Sequence, residues 1–403
     1  MKNRMKLVIS AALLQAALLL SGCSAAKDSA AAAEKAAAAG DLDRAEVLFN
    51  QAIAQEDDQP LYYAQLGMVC VMQGEYEEAQ SCFDTALQMD GGCTAALRGQ
   101  GICKLRQGDA AGAVSSFSEA LAGLRNQKSG TAQDLLAWRA EASREAGELS
   151  SAEADCETLI AAGYHVTDMT LLRGDLALAD GDLSSALETW QKALPEDSGK
   201  SKTKNAASVE AERARVWLHM LQELSDSGAD GASDAAAQIL QEAQDSSPQT
   251  AEGLCGKGKI LLQAGDTDGA FACFEQSYND GNADAGTYLA ACYRKRGTQA
   301  DYEEACRIYQ TLLLNDPDNA QIYAEYAAAK IEQEDYTGAQ ILITQGKETA
   351  DTDELCTLLW NEAVCAERQR DYEEAADLLR QILEKSPEDS EAAEELSYLE
   401  SRM

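Results

Sequence analysis

The chain has 403 residues, and 69 Asp and Glu against 33 Lys and Arg leave a formal charge of −36. A balance this acidic argues against nucleic acid, and against adhesion to an anionic membrane through protein charge. The only two histidines, His165 and His219, are too far apart in sequence for a histidine-rich metal motif.

Lys2, Arg4 and Lys6 make a basic start, and Leu7 to Leu20 is a mainly apolar run of fourteen residues. That is short for a transmembrane helix and suits an export signal over residues 1–22. The run ends in Leu20-Ser21-Gly22-Cys23, which resembles a bacterial lipobox. The resemblance implies cleavage before Cys23, a diacylglycerol thioether on its sulfur and usually a third acyl chain on its amine. Two or three chains anchor a protein stably where one is marginal. An ordinary secretory signal with a chance cysteine is the alternative, but the basic start, the run length and all four lipobox positions agree on lipidation. Loss of residues 1–22 removes three positive charges, taking −36 to −39. The expected location is extracytoplasmic and lipid-anchored, on the cell membrane of a one-membrane species or the periplasmic face of a two-membrane one.

Residues 23–29 read as a lipidated tether, and Ala30 to Ala39 as the first helix. From there one pattern repeats. Gly74-Glu75-Tyr76-Glu77-Glu78-Ala79 returns as Asp301-Tyr302-Glu303-Glu304-Ala305 and Asp371-Tyr372-Glu373-Glu374-Ala375. Looser copies place anchors at 40, 74, 108, 147, 181, 231, 265, 300, 334 and 370, with Ala300, Glu334 and Arg370 in a slot otherwise held by Gly. Five residues past every anchor stands an alanine, from Ala45 to Ala375. Nine past it the residue is always apolar, with Phe49, Phe83, Phe117, Trp190, Phe274 and Tyr309 as the aromatic cases. Seven before it a small residue recurs, including Gly67, Gly101, Gly174 and Gly258.

These offsets describe a helical hairpin. The anchor is a turn where Gly accepts positive φ and Asp or Glu caps the following helix. Small residues let the two axes approach, and the large ninth residue fills the gap to a neighbour. Pro248, Pro317 and Pro387, each seventeen past an anchor, are expected to stop one helix and suit the first turn of the next. Such a hairpin does not bury its own apolar face, so the hairpins must stack. Five units occupy residues 30–194 and five more occupy 208–389. Between them residues 195–207 lack an apolar period and read as a flexible loop or hinge. Residues 390–403 read as an amphipathic capping helix.

The pattern resembles the tetratricopeptide repeat family over about nine tenths of the chain. In the second unit Tyr63, Leu66 and Gly67 stand where the family has Trp, Leu and Gly, and Ala79, Phe83 and Ala86 follow at family spacing. The eighth unit, with Tyr288, Cys292 and Tyr293 before Gly297-Thr298-Gln299-Ala300, leans toward the related Sel1-like variant. The resemblance implies an all-α fold, a right-handed superhelical solenoid of about ten hairpins with a C-terminal capping helix. It also implies a concave groove, lined by the first helix of each hairpin, that holds a peptide or a partner's helix. Transferred here, the groove has Ala64, Met68, Val71 and Met72 in the second unit, and Arg98, Ile102, Leu105 and Arg106 in the third. Trp138, Glu141 and Arg144 follow in the fourth, then Leu171, Asp175 and Leu178. Of these, Met68, Met72, Arg98, Ile102, Arg106, Trp138 and Arg144 form the candidate binding set, the aliphatic ones being equally readable as inter-repeat core. Trp360 is a similar candidate in the tenth unit. The family's Lys and Asn clamp for a C-terminal dicarboxylate is not present, since Ala64, Met68, Arg98 and Ile102 hold those places.

A search for chemistry is mostly negative. Gly199-Lys200-Ser201 lacks the earlier glycine of a phosphate loop, that position being Leu194. Asp266-Thr267-Asp268-Gly269 and Asp280-Gly281-Asn282-Ala283-Asp284 do not continue into a calcium loop and read as helix caps. No nucleophile elbow is present, so neither catalysis nor a metal or cofactor is expected. Eleven cysteines besides Cys23, without a C-x-x-C, read as small buried hydrophobes, with Cys255 and Cys273 the candidate pair for a bridge. The function expected is an envelope scaffold for a protein or peptide partner, serving envelope assembly, cell-wall or secretion processes. A regulator or carrier that binds a small ligand or glycan between the two arrays is the alternative.

Overall fold

The computed structural model describes residues 25–195, 206–387 and 389–402. The expected export signal, Cys23 and Gly199-Lys200-Ser201 lie outside them. The described residues form α-helices joined by turns and short linkers, without a strand, and divide into two compact units at Ala193 and Leu194. No helix among them is long and apolar enough to cross a membrane.

The first unit holds five hairpins: α1 (Ala25–Ala38) with α2 (Leu42–Gln55), α3 (Pro60–Gln73) with α4 (Tyr76–Met89), α5 (Thr94–Arg106) with α6 (Ala110–Gly123), α7 (Gly130–Glu145) with α8 (Leu149–Ala161), and α9 (Val166–Ala179) with α10 (Leu183–Gln191). The second holds α11 (Ala206–Ser227) with α12 (Ala232–Asp245), α13 (Ala251–Gln263) with α14 (Thr267–Asn279), α15 (Asp284–Arg296) with α16 (Gln299–Asn315), α17 (Ala320–Glu332) with α18 (Tyr336–Gly346), and α19 (Thr352–Arg368) with α20 (Tyr372–Lys385). The closing helix α21 (Ser390–Glu400) buries Ala392 and Leu399 and packs on α20.

The small and large offsets meet inside each hairpin. A Cβ built on Gly101 would lie 2.5 Å from Cε1 of Phe117, and one on Gly67 or Gly258 would lie 2.6 Å from Phe83 or Phe274. Gly99, on the first helix of the next hairpin, also packs against the Phe83 ring. One phenylalanine thus ties its own hairpin together and joins it to the next. In the fifth hairpin Trp190 takes this place, and its indole N–H donates to Asp175 Oδ1 at 3.0 Å and to the Leu171 carbonyl at 3.1 Å. The aspartate expected on the groove is therefore buried, where it holds the tryptophan.

The turns follow one design with informative exceptions. Gly74 has φ +85°, and the Glu75 amide donates back to the Cys70 carbonyl at 2.8 Å, closing the helix in a Schellman motif. The ninth and tenth hairpins keep this motif with non-glycine residues, Glu334 at φ +61° and Arg370 at +67°. In the eighth, Ala300 is not the turn residue. Gly297 takes the positive φ, and α16 starts earlier, at Gln299, on a capping box between Thr298 and Asp301. The register recovers within the helix, where Ala305 and Tyr309 are fully buried.

Two boundaries also move. Helix α1 begins at Ala25 and buries Ala26, so the tether expected over 23–29 is helical from Ala25, consistent with the high helix propensity of its alanines. Pro248, Pro317 and Pro387 lie in linkers three residues ahead of the next helix, ending one helix without entering the first turn of another. A left-handed conformation costs an L-residue about 1–2 kcal/mol. Glu334→Gly and Arg370→Gly are therefore expected to raise the urea midpoint of unfolding. Gly101→Leu is expected to lower it, at a cost of about 1–3 kcal/mol or more from overpacking against Phe117.

Candidate partner-binding groove

The first helices of the hairpins present the candidate groove. On α5, Arg98, Ile102 and Arg106 follow one another at four-residue steps, and Ala64, Met68 and Met72 do the same on α3, so each trio runs along one helix face. The structure sorts them by burial. Ile102 is fully enclosed, Met68 is 8% exposed and Trp138 is 4% exposed, so these three are core and not available as a surface. Trp138 stacks 6.3 Å from Phe117, which explains its burial. Met72, Arg98, Arg106 and Arg144 are half-buried.

Two of the three arginines already have partners. Arg98 makes a bidentate pair with Asp134 on α7, at 2.5 and 3.2 Å, and its guanidinium lies 5.9 Å from the Trp138 ring centre. The pair bridges successive first helices and braces the stack. Arg144 makes a bidentate pair with Glu141 one turn back on α7, at 2.7 and 3.3 Å. Burial alone would lower the Arg144 pKa, but the hydrogen bond to Glu141 and the negative charges of Glu141, Asp175 and Glu145 together offset it and leave the pKa raised. Neither arginine is free to receive an anion without breaking an existing pair.

Arg106 differs. Its Nε is buried with no hydrogen-bond partner, and no carboxylate pairs with its guanidinium among the described residues. A buried donor without an acceptor is costly, typically about 1–3 kcal/mol. Of the candidate set, Arg106 is the cation with capacity left for a partner. It occupies the position on α5 that Met72 occupies on α3, one helix over.

Several polar contacts were not foreseen. Arg139 forms a bidentate pair with Asp155 at 2.8 and 2.7 Å, and that hydrogen bond raises the arginine's pKa despite burial. In the second unit Arg294 on α15 reaches Glu325 at 2.6 Å and Glu332 at 2.8 Å, both on α17, again linking first helices. The acidic turns act as caps: Asp266 accepts from the Gly269 amide at 2.9 Å, and Asn282 from the Asp284 amide at 3.1 Å. All eleven cysteines among the described residues are free, Cys255 and Cys273 included. Trp360 is half-buried against the core of the tenth hairpin.

Stacked helical hairpins of this kind define a helical-repeat protein. Tetratricopeptide repeat family models match residues 36–100, residues 139–201 and 357–399, and residues 284–319. The chain belongs to the tetratricopeptide repeat family. No curated protein matches it. A tetratricopeptide repeat protein from Parabacteroides merdae is 18% identical, with a TM-score of 0.40, over 66% of this chain and 98% of its own. PilF of Pseudomonas aeruginosa is 14% identical, with a TM-score of 0.41, over 60% and 97%. PilW, described as a type IV pilus biogenesis factor, is 15% identical, with a TM-score of 0.42, over 58% and 98%.

Removing Asp134 strands a half-buried guanidinium. Asp134→Ala is expected to destabilise the first unit by about 1–3 kcal/mol. Arg98→Met with Asp134→Leu is expected to cost less than the two single changes summed. Strict additivity in urea unfolding would show that the pair is not coupled.

Proposed function

We propose that this chain is a lipid-anchored, extracytoplasmic scaffold whose first unit binds a peptide or partner helix across α3, α5 and α7. Arg106 would pair with an acidic side chain or terminal carboxylate of that partner. The observation that carries this reading is the half-buried Arg106, whose Nε has no acceptor and whose guanidinium no described carboxylate pairs with. An anionic partner would supply a charge-assisted hydrogen bond that the free protein lacks. Membership of a repeat family built for protein contacts, and the scarcity of catalytic residue types, support binding over catalysis. The lipobox at Leu20-Ser21-Gly22-Cys23 supports membrane anchoring, with envelope assembly, cell-wall or secretion machinery as the setting.

Two experiments separate the parts of this reading. Crosslinked pull-down from membranes should capture one envelope protein with the native chain and at least tenfold less with Arg106→Glu. A tenfold loss corresponds to about 1.4 kcal/mol. Equal capture by both would remove Arg106 from the site. In fractionated cells Cys23→Ala should move the protein out of the membrane fraction, and an unchanged distribution would overturn the anchor.

A further inference from the structure

The second unit holds a cavity of about 530 Å³ between the second helix of the seventh hairpin, α14, and the first helix of the eighth, α15. Thr267, Asp268 and Phe271 line it from α14, and Cys292, Lys295 and Arg296 line it from α15. In each trio two residues stand three and four positions from the third, Phe271 or Cys292, so each trio occupies one helix face. Cys292 is buried and Phe271 half-buried, whereas Thr267, Asp268, Lys295 and Arg296 are exposed. The floor is therefore apolar and the mouth is charged. The volume lies within the range of about 300–1,000 Å³ usual for small-molecule sites.

The eighth hairpin's departures from the repeat shape one wall. Tyr293 fills the place, seven before Ala300, where a small residue recurs in other units. Its ring meets Phe271 edge-on at 5.0 Å, and the Arg296 guanidinium lies 4.9 Å from the Phe271 ring centre and 5.6 Å from that of Tyr293. Asp301, the buried aspartate of the capping box, lies 3.4 Å from Arg296 Nε. Arg296 is thus a positioned wall whose charge is already shared. Lys295 and Asp268 differ: neither has an ion-pair partner among the described residues, though they face one cavity from different helices.

We propose that this cavity binds a small zwitterion with an apolar side chain, a free amino acid or a dipeptide. Lys295 receives its carboxylate, Asp268 its ammonium, and Phe271 with Cys292 its side chain. A purely anionic ligand sets like charge against Asp268, and a purely cationic one sets it against Lys295 and Arg296, which disfavours both. A ligand with both charges satisfies the two walls at once, and its apolar part covers the floor. The inference goes beyond the proposed partner groove, which lies in the first unit and neither requires nor excludes it.

Ligand-observed NMR titration of the full-length chain in detergent tests it with four probes. L-phenylalanine and L-phenylalanylglycine are zwitterions, 3-phenylpropionate lacks the ammonium, and phenethylamine lacks the carboxylate. At least one zwitterion should bind saturably, about three- to tenfold tighter than either singly charged analogue, because partly exposed charge pairs each contribute modestly. Lys295→Gln should shrink the advantage over phenethylamine, and Asp268→Asn the advantage over phenylpropionate. Both changes are at exposed positions, and circular dichroism checks that each variant keeps its helices. No saturable binding of either zwitterion up to about 10 mM would overturn the proposal. So would a singly charged analogue binding as tightly as both zwitterions, or zwitterion binding that neither substitution weakens.

Discussion

The structure depends on one contact: a large ring lying against a residue without a side chain. Phe83 packs on Gly67 in its own hairpin and on Gly99 in the next. Phe117 on Gly101 and Phe274 on Gly258 repeat the first of these contacts. Each ring removes apolar surface from water and fixes how closely two helices approach, which in turn fixes where their remaining side chains fall. Because the ring also touches the following hairpin, the contact propagates along the array, as stability does in quasi-one-dimensional repeats.

This contact explains why the architecture was legible in the sequence. Its two halves stand at fixed distances from a turn glycine, so a period near 34 residues and the small-to-large offsets were visible without coordinates. The departures occur where another interaction does the same work. In the eighth hairpin a Thr298–Asp301 capping box replaces the Schellman turn and moves the helix start ahead of Ala300, to Gln299. In the fifth, Trp190 takes the place of Phe and draws Asp175 inward to accept its N–H, a role not encoded by residue type alone. Glu334 and Arg370 adopt positive φ against their own preference, held by the same backbone bonds that Gly74 makes.

The candidate groove was less legible, for a physical reason. A helix position beside the core stripe falls inside or outside according to the neighbouring hairpin, and periodicity does not report that difference. Ile102, Met68 and Trp138 were placed on the groove by register, but all three are buried, Trp138 against Phe117 of the preceding hairpin. Arg98 finds Asp134 thirty-six residues away on a different first helix, a pairing without a sequence signature. Of the three arginines, Arg106 keeps the character its position implied, because no described carboxylate pairs with it. In the proposed site, internal ion pairs beside one cation that no described carboxylate pairs with would make binding more selective than a stripe of three equivalent arginines. A partner that brings an anion to the wrong place must break an existing pair to be accommodated.

The central claim is that a partner contacts the first-helix face of the first unit. Site-specific photocrosslinking in intact cells tests it most directly, with a photoreactive residue at half-buried Met72 on α3 or at exposed Ser81 on the second helix α4. The account requires a single adduct from position 72, joined to an acidic segment of one envelope protein, and none from position 81. Adducts of equal yield from both positions, or from position 81 alone, would contradict it.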